Sequence, residues 1–213
     1  MYTELNEQCF IYGKRSNKQI GDIFIQTQFQ KPHIHNFWIQ KFKNNVNWEN
    51  IYYFLNCSPM DNKIKQYRYK LLHRIIATNE NLFTWKLSNS PCCNFCNEME
   101  TVDHFLIECK WLDTFWTRIS YVFKSYGVSK QVRSLQYLVI GYKSERLEYN
   151  WINVLFSYIG FDIYKSYFCC ERRKKHFNIL NILIEELKVL ETYCHTKNLK
   201  CNMLTIFMNK LCR

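Results

Sequence analysis

The chain has 213 residues, 47% hydrophobic, 17% aromatic and 22% charged, which is too apolar and too aromatic for a disordered tail. Five Gly and three Pro stand where average usage gives roughly 25 of the two together, which argues against a many-stranded sandwich or barrel and against Gly-rich phosphate loops. Twenty-nine basic residues against 18 acidic, +11 overall, suit a polyanionic partner such as RNA or DNA, with a merely soluble basic protein as the even alternative.

Residues 1–35 are polar and carry one alternating stretch, Ile20 to Phe29, of strand-like pattern; the segment is expected to be poorly ordered. Glu4 and Glu7 precede any apolar stretch, so no export signal is expected. The apolar runs further on are broken by Lys, Asp or Asn well short of a membrane span. Eleven cysteines, an odd number, then read as thiols or metal ligands in a reducing compartment, nuclear or cytoplasmic.

From Asn36 onward helical spacing takes over, and two regions are expected, 36–130 and 131–213. Trp48, Ile51, Tyr52 and Leu55 fall at i, i+3, i+4, i+7, and Pro59 breaks the chain. Asp61 is placed to cap a helix over Asn62 to Ala77, whose buried stripe is Ile64, Leu71, Leu72, Ile75 and Ile76. A short helix follows from Glu80 to Leu87, ended by Ser88-Asn-Ser-Pro91. After a Cys-rich turn, one helix opens at Thr101 towards Cys109, and another carries Trp111, Phe115, Trp116, Ile119 and Phe123 to a stop at Gly127. Longer helices are expected over Asn150 to Cys170 and Lys174 to His195, with a last amphipathic piece from Met203 to Leu211. The fold class is mostly α, a helical domain with a small Cys3His zinc knuckle (92–109) inserted between helices.

That knuckle is the constellation with chemistry in it. Cys93 and Cys96 form C-x2-C, a turn tight enough to aim two thiolates at one ion; His104 and Cys109 can complete a tetrahedron if little more than a helical turn separates them. A bare C-x2-C arises by chance in a chain with eleven cysteines, but the full set with a His and a further Cys at these spacings does not. The result is a closed site for one structural Zn2+, whose binding energy is folding energy. Cys92-x3-Cys96 is a competing register, and ordinary half-buried thiols are the plain alternative.

Tyr69-Lys-Leu-Leu-His-Arg-Ile-Ile-Ala-Thr-Asn-Glu-Asn-Leu82, Cys93-Asn-Phe-Cys96, Glu100-Thr-Val-Asp-His104, Cys109 and Phe115-Trp116 resemble the C-terminal zinc-binding segment of non-LTR (LINE-type) retrotransposon reverse transcriptases. The likeness is dense from Lys63 to Trp116 and weaker through Leu138-Val-Ile-Gly141, Asn153 and Ile163-Tyr-Lys165. It implies metal ligands at Cys93, Cys96, His104 and Cys109, with Trp116 as the closing aromatic. The polymerase palm of that family uses a pair of aspartates, whereas this chain has five Asp and no Asp-Asp pair. The resemblance is therefore to the tail without the catalytic core, and no enzymatic activity is expected.

Lys63, Tyr67, Lys70 and Arg74 form a stripe at i, i+4, i+7, i+11 that suits a phosphate backbone with a ring for base stacking, or a solvated helix face. The run Arg172, Arg173, Lys174 and Lys175 is a second nucleic-acid candidate, a localisation signal or a solvated corner. Trp111, Phe115 and Trp116 read as the hydrophobic lid of the metal site. His33 with His35, Cys169 with Cys170, and Cys194 with His195 read as incidental. Gly13-Lys14 lacks the flanking residues of a P-loop, and H-E-x-x-H, G-x-S-x-G and G-x-G-x-x-G do not occur. The expected function is a zinc-stabilised nucleic-acid-binding module. A zinc-stapled protein-interaction domain, with a polymerase or a second copy of the chain as partner, is the alternative, beside a non-functional relic.

Overall fold

The computed structural model describes residues 33–43, 46–125, 127, 128, 131–142, 150–173 and 179–211. The strand-like stretch Ile20 to Phe29 lies outside them. The chain divides into two compact units, 1–43 and 44–213. In the first, helix α1 (His33–Phe42) buries His35 and Trp38, and the Trp38 ring stacks on Phe42 one turn on, with centroids 5.2 Å apart.

The second unit is helical. Its elements in chain order are α2 (Trp48–Cys57), α3 (Asn62–Leu72), α4 (Asn79–Thr84), a π-helical turn (His104–Glu108), a 3-10 turn (Lys110–Leu112), α5 (Asp113–Lys124), α6 (Leu135–Val139), α7 (Asn150–Arg173), α8 (Ile179–Thr196) and α9 (Asn202–Leu211). Among the described residues the sole β-type pairing is an isolated bridge between Cys92 and Met99. No described helix is long and apolar enough to cross a membrane.

The helix starts follow from side-chain caps that offset the first orphan N–H groups. The Asn47 side chain accepts from the Asn50 N–H, Asp61 from Lys63 and Thr78 from Asn81. Two ends depart from the expected ones. The helix predicted to Ala77 stops at Leu72, and the one predicted to Leu87 stops at Thr84. Arg74 and Lys86 turn left-handed, with φ of 57° and 60°. Each builds the paired 6→1 and 5→2 bonds of a Schellman end: Ile75 N–H to Lys70 O with Arg74 N–H to Leu71 O, and Leu87 N–H to Leu82 O with Lys86 N–H to Phe83 O. A non-glycine residue in that region is disfavoured. At Arg74 the turned chain is held by the Asn81 amide, which donates to the carbonyls of Arg74 and Ile76 at 2.9 and 2.7 Å.

Helix α7 is the axis of this unit. Ile152, all of Val154 to Ile159, and then Asp162, Ile163, Ser166 and Tyr167 are buried, as expected of a helix enclosed on every side. It packs against α3, α6, α8 and the π-turn, while α9 covers α5 and α8. Phe156 stacks on Phe123 of α5 with centroids 4.9 Å apart and planes 7° off parallel. At Gly160 a Cβ would meet the Tyr67 hydroxyl at 2.8 Å, so glycine lets α3 cross close to α7. Arg68, beside Tyr67, is also buried. Its guanidinium donates to the carbonyls of Leu138 and Val139 at the end of α6, groups that the short helix leaves unpaired. Burial pushes the Arg68 pKa down to about 10, still cationic at neutral pH.

Candidate metal centre

The knuckle is a tight hairpin over 91–100. Cys93 N–H donates to Glu98 O at 2.7 Å, Asn97 N–H returns to Cys93 O at 2.9 Å, and Glu100 N–H reaches Pro91 O at 2.9 Å. Asn97 makes the reversal with φ of 61°, a conformation asparagine tolerates better than most residues. The turn aims the Phe95 N–H at the Cys93 sulfur, 3.5 Å away, so backbone dipoles already favour a thiolate there.

The other two candidate ligands lie on the segment that follows. In an α-helix residues five apart sit about 140° apart around the axis, which would turn His104 and Cys109 away from each other. The chain instead makes a π-turn, closed by Cys109 N–H to His104 O at 2.9 Å, and the wider turn brings both to one side. The turn is braced from outside. Trp116 Nε1 donates to Leu106 O at 3.0 Å. Arg133 donates to the carbonyls of Ile107 and Cys109 and pairs with Asp113 at 2.6 Å.

The four ligand atoms converge to within 4.8 Å of one another. A tetrahedral ion with metal–sulfur bonds of about 2.3 Å holds its sulfur ligands about 3.8 Å apart. The Cys93–Cys109 and Cys96–Cys109 Sγ pairs are 3.7 and 3.8 Å apart, and Cys96 Sγ lies 3.1 Å from His104 Nε2. Three thiols and one imidazole with this spacing fit zinc by donor softness and by geometry. The other imidazole nitrogen, Nδ1, lies 3.7 Å from a Glu98 carboxylate oxygen, the kind of outer partner that orients a metal-binding histidine. Cys93, Cys109 and His104 are buried and Cys96 is half-buried, so the site is closed and structural in type. Contact with the Cys109 thiol pulls the Cys93 thiol down to about 4, and the same contact pushes Cys109 up. A divalent ion resolves that competition by deprotonating the set.

Cys92, the competing ligand, is instead paired by its backbone with Met99 and stays outside the cluster. Among the described residues the knuckle is the one group of three or more ligand side chains so gathered. Phe115 and Trp116 are both buried, and Trp116 reaches the π-turn through its bond to Leu106 O. Trp111 stacks on Phe95 at the hairpin tip, with centroids 4.8 Å apart.

Glu100 is the residue that the sequence reading left without a role. It is fully buried. Its carboxylate accepts from the Asn79 N–H at 2.8 Å, from the Asn79 amide at 3.4 Å and from the Tyr167 hydroxyl, which ties the knuckle to the start of α4 and to α7. Burial raises its pKa to about 7. Glu100 follows directly on the exposed Met99, and nothing in the local sequence says what it bonds to.

The expected basic stripe is rearranged. Lys63 and Lys70 are exposed on α3. Arg74 lies past the helix end and is half-buried. The Tyr67 ring is not open for base stacking: it is buried against Phe161 and Tyr164. The sequence offered a sign of this, because Tyr67 and Arg68 sit at i+3 and i+4 from Ile64, on the apolar stripe itself. Of the two α3 tyrosines, Tyr69 is the open one, 50% exposed, with its ring against His73 at a centroid distance of 4.3 Å. Arg172 and Arg173 end the α7 backbone, but their side chains, with Lys174 and Lys175, lie outside the described residues.

Residues 33–116 match the family model described as zinc-binding in reverse transcriptase, a stretch that holds all four converging ligands and ends on Trp116. Comparison with curated proteins gave no match, and comparison with solved structures gave none.

Proposed function

We propose that this chain is a non-catalytic, zinc-stapled module that holds RNA or DNA, similar in role to the tail of a LINE-type reverse transcriptase. The carrying observation is the match of residues 33–116 to the reverse-transcriptase zinc-binding model, on a segment whose Cys3His geometry suits one zinc ion. The net charge of +11 and the exposed Lys63, Tyr69 and Lys70 on α3 support a phosphate-bearing partner. Zinc sets the shape; the cations supply affinity. The test is a salt titration of zinc-loaded protein against labelled RNA and DNA. The expected result is binding whose logarithm falls linearly with log salt; retention no better than that of a neutral protein overturns the reading.

A protein-docking role is the second reading. Phe83, Trp85, Leu87, Phe95 and Met99, around the end of α4 and the hairpin tip, are each more than 40% exposed, and exposed apolar groups of this size mark interaction surfaces when they are contiguous. Light scattering at increasing concentration reads self-association directly. A strict monomer removes the second copy of the chain as that partner.

A further inference from the structure

Away from the knuckle, a cleft of about 1110 Å3 opens between α2 with its turn into α3, the end of α6, the start of α7 and the residues after α8. Single small ligands occupy pockets of roughly 300–1,000 Å3, so the cleft has room for more than one. Its described lining contains no Asp or Glu, although the chain carries 18 acidic residues. It contains three cations, Lys65, Arg68 and Lys200. Arg68 is locked behind the wall by its bonds to two carbonyls, and its charge therefore acts as a fixed positive field. Half-buried Lys65 spends one donor on Asn56 O at 2.9 Å, and an ammonium has two more to offer. The remaining lining is rich in side-chain amides and in tyrosine and tryptophan. Tyr53 is 70% exposed and Tyr193 is 46% exposed.

We propose that this cleft is a groove for single-stranded nucleic acid, with bases stacked on Tyr53 and Tyr193 and phosphates held by Lys65 and Lys200. The inference rests on the nucleic-acid reading above and adds where the strand lies. The described lining, without a carboxylate, offers a phosphate no repulsion. Open aromatic faces take up only unstacked bases, which a duplex does not offer. Side-chain amides offer paired donors and acceptors of the kind base edges present. An acidic peptide would share the charge but has no use for the rings.

The experiment uses the full zinc-loaded chain and fluorescein-labelled 20-nucleotide RNA, DNA of the same sequence and the corresponding duplexes, read by anisotropy, with metal content and circular dichroism as checks on each variant. Single strands are expected to bind more tightly than duplexes. The RNA and DNA arms show which sugar the groove accepts. The double variant Tyr53→Ala with Tyr193→Ala removes two exposed rings and is expected to weaken single-strand binding at least tenfold, leaving the salt slope unchanged. Lys200→Gln is expected to lower that slope by about 0.7. A comparison pair, Lys63→Gln with Lys70→Gln, removes the α3 cations outside the groove and is expected to lower the salt slope while single strands stay preferred over duplexes. If that pair weakens binding while the tyrosine variant binds like the parent, the groove assignment is overturned and the module reading stands. If no nucleic acid binds the zinc-loaded parent, both fall. A peptide partner is indicated, against the proposal, if poly-glutamate displaces the strand from the parent and the tyrosine variant equally.

Discussion

The hairpin at 91–100, with the π-turn that completes its ligand set, and the helices around α7 solve the same problem by different means. Around α7 the chain buries a continuous set of large side chains, Phe123, Phe156, Ile159, Ile163 and Phe207 among them, and stability scales with the apolar area taken from water. The hairpin proper, 91–100, buries little apolar surface: of its side chains only Cys93 and Glu100 are buried. It exposes Phe95 and Met99 and, with Cys109, gathers three thiols whose mutual contact favours no more than one thiolate. What holds it is coordination, together with backbone bonds that place the ligands. The two regions should therefore fail under different insults, although Glu100 bolts one to the other through Asn79 and Tyr167.

The largest separation is expected on removing the metal. Structural zinc in small sites contributes on the order of 10 kcal/mol to local folding, and Cys96→Ser deletes one of four ligands. Elemental analysis of purified protein is expected to give one zinc per chain in the parent and a small fraction of that in the variant. Amide exchange is expected to rise across 91–109 while α7 keeps its protection. Equal loss of protection in both regions would show that the hairpin is no separate unit, and zinc-free parent protein with an intact hairpin would remove coordination as its cause.

The converse cut is made in the core. Phe156→Ala removes a fully buried ring that stacks on Phe123, and such truncations cost about 3–5 kcal/mol. Urea unfolding is expected to show that loss, with zinc content at native conditions unchanged. Reduced zinc occupancy in a variant that is still folded would mean the bundle sets the ligand geometry, and the comparison would need redrawing.

The two regions also differ in how far their residues announced them. The side-chain caps at Asp61 and the run of apolar positions along α7 follow from short-range chemistry, and the structure has both where spacing puts them. The ligand set is legible for the same reason: two cysteines three apart and a nearby His and Cys have few other physical uses. What the sequence hid was long-range. Arg74 and Lys86 end their helices without glycine, and at Arg74 the end is secured by Asn81, seven residues on. The π-turn is braced by Trp116 and Arg133, neither of which lies within the turn's own residues. Tyr67 looked like part of a basic face because its neighbours are cations; contact with α7 at Gly160 decides otherwise. Gly141 likewise takes φ of 87° beside Asn153, whose side chain accepts from the Tyr142 N–H at 2.6 Å, a pairing across the gap between α6 and α7 that no window of sequence contains.

The smallest effect is expected inside the bundle, where burial makes charge a liability. Asp162 of α7 is fully buried, and neither carboxylate oxygen has a hydrogen-bond partner. Burial, and then the Glu186 carboxylate, push its pKa up to about 8, against the opposing pull of Lys165. The unfolded chain has an Asp pKa of about 3.9. Between these values the native state holds a proton that the unfolded state has released, so stability falls as pH rises from about 4 to about 8 and is level above. Asp162→Asn keeps the shape and removes the titration. Its stability relative to the parent is expected to be close to equal at pH 4 and to grow by about 1 kcal/mol or more by pH 8. Glu100, raised to about 7, titrates in the same window but is present in both proteins and cancels in the difference. Thermal or urea unfolding at pH 5 and pH 8 measures the gap. A variant that gains nothing at pH 8 would mean Asp162 is ionised and satisfied in the folded protein, so that burial around α7 excludes charge less completely than its apolar lining implies.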